Sequence, residues 1–175
     1  MTDDTELLTR VAHRAAEDDP DVPPGVDAAA IETARTRLGF ALPDLLAAAY
    51  RQVGDGGFGP EECLLPLNGE GSVVSTYLDF RETYAGSEWA WPEGVLPIMT
   101  WGCGMYACVD CRSDDATVLL FEPNPGDPDL AWYVDAPSLA AWFTHYVEDT
   151  GWWVAAERGE DFEPMAPWPH ASARA

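Results

Sequence analysis

The stretch from Val95 to Glu122, VLPIMTWGCGMYACVDCRSDDATVLLFE, decides the fold. Val95 to Trp101 is an apolar run. Gly102-Cys103-Gly104 follows, a break rich in backbone freedom. Tyr106 to Cys111 is a second run, in which Tyr106, Cys108 and Asp110 fall on one face and Ala107, Val109 and Cys111 on the other. Arg112 to Ala116 is a polar turn, and Thr117 to Phe121 is a third run, β-branched and apolar. Connections this short suit an antiparallel meander, because parallel neighbours need a crossover of a dozen residues or more.

Working outward, Glu62 to Leu67 reads as an earlier strand and Leu130 to Val134 as a later one. Ser72 to Tyr84 carries Val73, Tyr77, Phe80 and Tyr84 at helical spacing, with Ser72 placed to cap. Leu139 to Glu148 repeats the pattern with Leu139, Trp142, Phe143, Tyr146 and Val147. Upstream, helices are expected over Thr5–Glu17, Ala28–Leu38 (capped by Asp27, closed by Gly39) and about Pro43–Val53. The sum is an α+β fold: a mostly antiparallel sheet of five or six strands with helices packed on it. The expected division is an N-terminal helix and Pro-rich connector over 1–26, an α+β domain over 27–154, and an irregular Pro/Trp tail over 155–175. Trp152-Trp153-Val154 closes the domain, and Trp168 gives the tail a docking contact.

Two segments carry a resemblance. In the first, Ile31, Glu32, Leu38-Gly39, Leu42-Pro43, Leu46, Tyr50 and Gly56-Gly57 follow an order of apolar and acidic residues, LG, LP, a helix with an aromatic, and a glycine turn. In the second, Leu96-Pro97-Ile98, Gly102 to Gly104, Cys108-Val109-Asp110 and Leu139 to Phe143 supply a strand, a glycine bend, a strand ending in Asp, and a last helix. Together, over roughly 27–149, they resemble the SMI1/KNR4, or SUKH, superfamily. The resemblance implies a SUKH-like core and a non-catalytic, protein-binding role. Bacterial relatives commonly neutralise polymorphic secreted toxins, whereas fungal members include signalling and cell-wall regulators, so the fold alone does not choose.

Charge is the strongest compositional fact. Of 175 residues, 31 are acidic and 9 basic, giving −22, and there is no Lys. Such a surface repels phosphate backbones and anionic lipid heads alike. It attracts a basic protein and speeds the encounter. At 47% apolar residues the chain has the composition of a folded domain. No apolar run reaches the length of a membrane span. The start, MTDDTELL, lacks the basic-then-apolar order of a secretory signal, so a cytoplasmic location is expected.

The motifs of common chemistry are absent. Cys108-Val109-Asp110-Cys111 is a C-x₂-C pair, but an odd separation along one strand turns the two thiols to opposite faces. A structural zinc site also wants four converging ligands. Buried reduced cysteines are the expectation, with no metal and no cofactor. Gly54-Asp55-Gly56-Gly57 follows a helix and has no Lys-Ser/Thr after it, unlike a phosphate loop. None of the three His lies in a motif, and no Gly-x-Ser-x-Gly occurs.

The resemblance, with the acidic charge beside it, implies an immunity protein that binds a basic, nuclease-like toxin domain. The other readings are a regulatory or scaffold module without a toxin partner and, more remotely, an enzyme of unrecognised type. Candidate partner-binding residues lie on loops or edges, where binding groups concentrate. They are Asp55, Glu61 and Glu62 after the third helix, Asp79 and Glu82 on the fourth, and Glu88, Trp89, Trp91 and Glu93 on the tryptophan loop. The two tryptophans either cover the end of the sheet or form an exposed aromatic anchor.

Overall fold

A computed structural model describes residues 4–170, the side chain of Glu62 excepted. Four strands form one antiparallel sheet in the order β1-β2-β3-β4: β1 is Val95–Gly102, β2 Met105–Asp110, β3 Val118–Phe121 and β4 Trp132–Ala136. The meander expected from the central stretch is present. The class is α+β, with fewer strands than the five or six expected.

Glu62 to Leu67 accounts for part of that difference. Its start belongs to a 3₁₀ turn, Pro60–Glu62, and the rest meets the sheet at one bridge, Leu64 to Met99. The Leu65 N–H donates to the Ile98 carbonyl at 2.9 Å. The apolar residues Cys63-Leu64-Leu65 report burial against the sheet, not strand pairing. This segment lies along the free side of β1. That edge position also tolerates Pro97, which has no N–H to give. At the other margin, residues 166–168 run along β4. Val134 N–H donates to the Ala166 carbonyl at 2.8 Å and Trp168 N–H to the Trp132 carbonyl at 3.0 Å. Trp168 is buried behind them.

The helices form where their caps and apolar stripes place them. α1 is Asp4–Asp18, α2 Ala28–Leu38, α3 Asp44–Gln52, α4 Val73–Thr83, α5 Leu139–Glu148 and α6 Trp152–Arg158. Asp27 accepts from Ala30 N–H at 2.8 Å, and Gly39 ends α2 at φ 83°. Ser72 and Ser75 each accept from the other's backbone N–H, at 3.1 and 2.9 Å, a reciprocal cap that starts α4. α6 was not foreseen: Ala155 to Arg158 continue a helix begun at Trp152.

The core includes Leu7, Leu8, Val11 and Ala15 of α1, so the N-terminal helix is integral to it. α1 is also clamped to α5. Arg14 pairs with Asp149 at 3.0 Å and with Asp18 at 2.8 Å, and Tyr146 donates to Asp18 at 2.7 Å. The turn after α3 is an internal joint. Asp55 accepts from Leu67 N–H at 2.7 Å, and Gly56 sits at φ 79° against the backbone of residues 64–66. Asp110, buried at the end of β2, accepts from the N–H and Nε of Arg112 at 3.0 and 3.1 Å and so shapes the turn to β3.

Candidate functional site: an aromatic groove

Strand register builds the floor of the site. Tyr106 stands opposite Phe121, and Phe121 opposite Trp132, so three aromatic side chains line one face across three strands. Trp91 seals this ladder from above. Its ring lies 5.0 Å from Phe121 and 5.0 Å from Trp132, and its indole N–H donates to the Val95 carbonyl at 2.8 Å.

α4 supplies one wall. Val73, Val74 and Tyr77 are buried, and the same stripe continues to Phe80 and Tyr84, which are only half-buried. Phe80 meets Tyr106 edge-on at 5.3 Å and lies 5.9 Å from Tyr84. The tryptophan loop supplies the other wall, with Trp89 edge-on to Phe121 at 6.4 Å. Between the walls runs a groove of about 380 Å³, lined by the rings of Phe80, Tyr84, Trp89, Tyr106 and Phe121 and closed by Gly104 and Pro123. Among the described residues no charged side chain lines it. Its size falls within the range of ligand clefts, roughly 300–1,000 Å³. Burial raises the Tyr106 phenol above its ordinary pKa, with Cys108 and Tyr84 adding to the shift and Thr100 opposing it.

The residues expected at an interface fall in different places. Trp89 is in the groove wall and exposed Glu88 adjoins it. Trp91 is 2% exposed, so it is a core residue and the packing reading holds for it. Glu93 is exposed on the same loop. Asp79 and Glu82 are exposed on α4, but at ~100° per residue Glu82 lies about opposite the Phe80–Tyr84 stripe. Asp55 is half-buried and spends its carboxylate on Leu67. Glu61 lines a separate cavity of about 230 Å³ with Arg14, Asp18, Tyr146 and Asp149. Glu62 lies outside the described side chains. Phe80, Tyr84, Tyr106 and Phe121 were missed as a site. The i, i+4 spacing of Phe80 and Tyr84 was the available signal.

A second cavity is a seam whose polar groups partly satisfy one another. In this cavity of about 520 Å³, where the tail meets the sheet, Arg112 pairs with Asp110 and lies 5.8 Å from the Trp168 ring centroid, and Ser113 donates to Thr117 at 3.2 Å. The buried Cys108 thiol is raised well above its ordinary pKa by desolvation, and Cys111 is raised chiefly by burial with a contribution from Asp110. Burial pushes Asp135 up to about 6, opposed by the hydrogen bond it accepts from the Trp142 indole. The Trp142 N–H donates to it at 3.1 Å. Among the described residues no group of three or more His, Cys, Asp or Glu is arranged to hold a metal ion, and no helix is long and apolar enough to cross a membrane.

No curated protein matches the sequence. A family model does, over residues 25–145, which takes in α2 to α4, most of α5, the whole sheet and all the walls of the groove. With the match spanning more than half of the chain, and with the four-stranded meander and its flanking helices in place, the protein belongs to the SMI1/KNR4 family (SUKH-1).

Proposed function

We propose that this protein is a non-catalytic binding domain, an immunity protein that holds and neutralises a basic, nuclease-like toxin domain. The observation that carries the reading is the charge of −22, without a single Lys, on a SUKH-1 domain. Acidic side chains stand in for the phosphates that a nuclease would grip, and the field steers the encounter. The aromatic groove adds a partly exposed apolar surface of the kind that anchors protein partners. The buried titratable groups have structural partners, which supports binding over catalysis: Tyr50 donates to the Leu65 carbonyl, Tyr146 to Asp18, and Asp135 accepts from Trp142. The contacts proposed for the partner are Glu88, Trp89 and Glu93 beside the groove, with Asp79, Glu82 and Glu61 on outlying acidic surface.

The test is titration with basic toxin domains, taken first from any toxin gene that neighbours this one, by calorimetry at low and high salt. A stoichiometric complex that weakens as salt rises is expected. A complex indifferent to salt and to charge reversal at Glu88 and Glu93 would remove the electrostatic part of the reading. Failure to bind any neighbouring toxin, with recovery of signalling proteins instead, would favour a regulatory module.

A further inference from the structure

The groove has an unusual combination of properties for so acidic a protein. Its walls are aromatic and uncharged, while the chain around it carries −22. Aromatic faces are electron-rich and attract cations within about 6 Å of the ring centroid. A neutral apolar ligand would gain from the walls but not from the field, and an anion would be repelled by both. A cation gains from both.

The protein uses the same chemistry internally. Arg14 lies 5.4 Å from the Tyr146 ring centroid and Arg112 lies 5.8 Å from that of Trp168. Among the described residues no arginine stands over the rings of the groove. Arg81, which follows Phe80 on α4, donates instead to the Trp91 carbonyl. The nearest carboxylates in sequence are Asp79, beside Phe80, Glu88, beside Trp89, and Glu122, beside Phe121; Glu122 is partly occupied in accepting from Asn124. Guanidinium suits such a slot better than ammonium, because its plane stacks on rings and it is less strongly hydrated.

We propose that the groove receives an arginine side chain of a protein partner, with the guanidinium stacked among Phe80, Tyr84, Trp89 and Tyr106. This deepens the protein-binding reading and rests on it. It assigns the recognised group, not only the sign of the partner's charge.

The experiment uses the full chain and two blocked tripeptides, acetyl-Gly-Arg-Gly-amide and its citrulline counterpart, which keeps the shape and loses the charge. Nitrogen-proton NMR follows the Trp89 indole N–H and the groove amides, with the Trp142 indole, held by Asp135, as the remote reference. The expected result is saturable movement at Trp89 and its neighbours, with the Arg peptide at least about fivefold tighter than the citrulline peptide. Trp89→Leu, which keeps apolar bulk and loses the π face, weakens the Arg peptide by about the same factor, and Trp89→Phe restores part of it. Equal binding of the two peptides overturns the proposal. So do Arg-induced shifts scattered over the acidic surface with Trp89 unmoved, or a Trp89→Leu variant that binds as well as the parent. Toxin capture that persists when the peptides fail retains the immunity reading without this contact. Peptide binding without any toxin capture retains the contact and removes the toxin.

Discussion

Replacing Asp135 by Asn is expected to stabilise the protein at neutral pH and to flatten its response to mild acid. The Asp135 carboxyl is largely withdrawn from water, which raises its pKa from 3.8 to about 6, while the Trp142 indole N–H at 3.1 Å pulls in the other direction. The folded state therefore holds this proton more tightly than the unfolded chain does. No penalty arises below about pH 4; the penalty grows as pH rises through 4 to 6 and is complete above that. At 1.36 kcal/mol per unit, a shift from 3.8 to about 6 costs about 3 kcal/mol at pH 7.5. Asn is neutral at every pH and keeps an oxygen for the Trp142 donor; the charge assistance of that bond is already contained in the shifted value, so the amide imitates the protonated carboxyl. The gain at pH 7.5 is therefore about 3 kcal/mol, or roughly 6–12 °C in Tm for a chain of this size. At pH 4.5 the difference shrinks to about 1 kcal/mol. Urea unfolding of parent and variant from pH 4.5 to 7.5 measures it. Subtracting the curves removes the repulsion among the many surface carboxylates, which the two proteins share. A variant less stable than the parent at pH 7.5, or a difference that stays constant over the range, would refute the reasoning.

Three further outcomes follow from packing. Gly56→Ala should cost at least about 2 kcal/mol in thermal unfolding, since a Cβ at φ 79° would lie 2.7 Å from the Pro66 nitrogen and 2.8 Å from the Leu64 carbonyl oxygen; an unchanged Tm would show that the turn can shift. Trp168→Ala should cost up to about 3 kcal/mol and open residues 159–170 to limited proteolysis, because this side chain packs on Trp132 at 5.7 Å and under Arg112 at 5.8 Å. A cleavage pattern identical to the parent's would show that backbone pairing with β4 suffices to hold the tail. Thiol titration of the native protein should label Cys103 quickly and leave Cys108 and Cys111 silent until unfolding, given the exposure of the first and the burial-raised pKa values of the others; rapid labelling of Cys108 would mean that the sheet opens.

Elements with a local physical signature were legible in the sequence. α4 was readable because Ser72 and the spacing of Val73 and Tyr77 sit within a dozen residues. The meander was readable because its turns are short and its runs apolar. Glu62 to Leu67 was misread because an apolar triplet looks the same whether it pairs along a strand or is pressed on one by a single bridge. The site was half legible for a related reason. Glu88 and Trp89 are visible as a polar-aromatic loop, but the walls come from α4, the start of β2 and the end of β3, which only strand register and helix phase bring together. The same phase carries Glu82 away from the groove, and the hydrogen bond from Leu67 turns Asp55 into a joint. Neither is visible from residue type. α6 was hidden because seven residues, two of them tryptophan, carry little periodicity.

Residues 64–65 along β1 and 166–168 along β4 have a consequence for how this protein changes over time. With the middle of each sheet margin met by the chain's own backbone, a partner finds fewer main-chain groups there to pair with, and more of the recognition falls to side chains. Under the proposed function, the framework and the recognition surface are then largely separable: a substitution at Trp89, Tyr84 or Glu88 would change the binding surface while leaving the hydrogen-bonded scaffold in place, one residue at a time and without refolding.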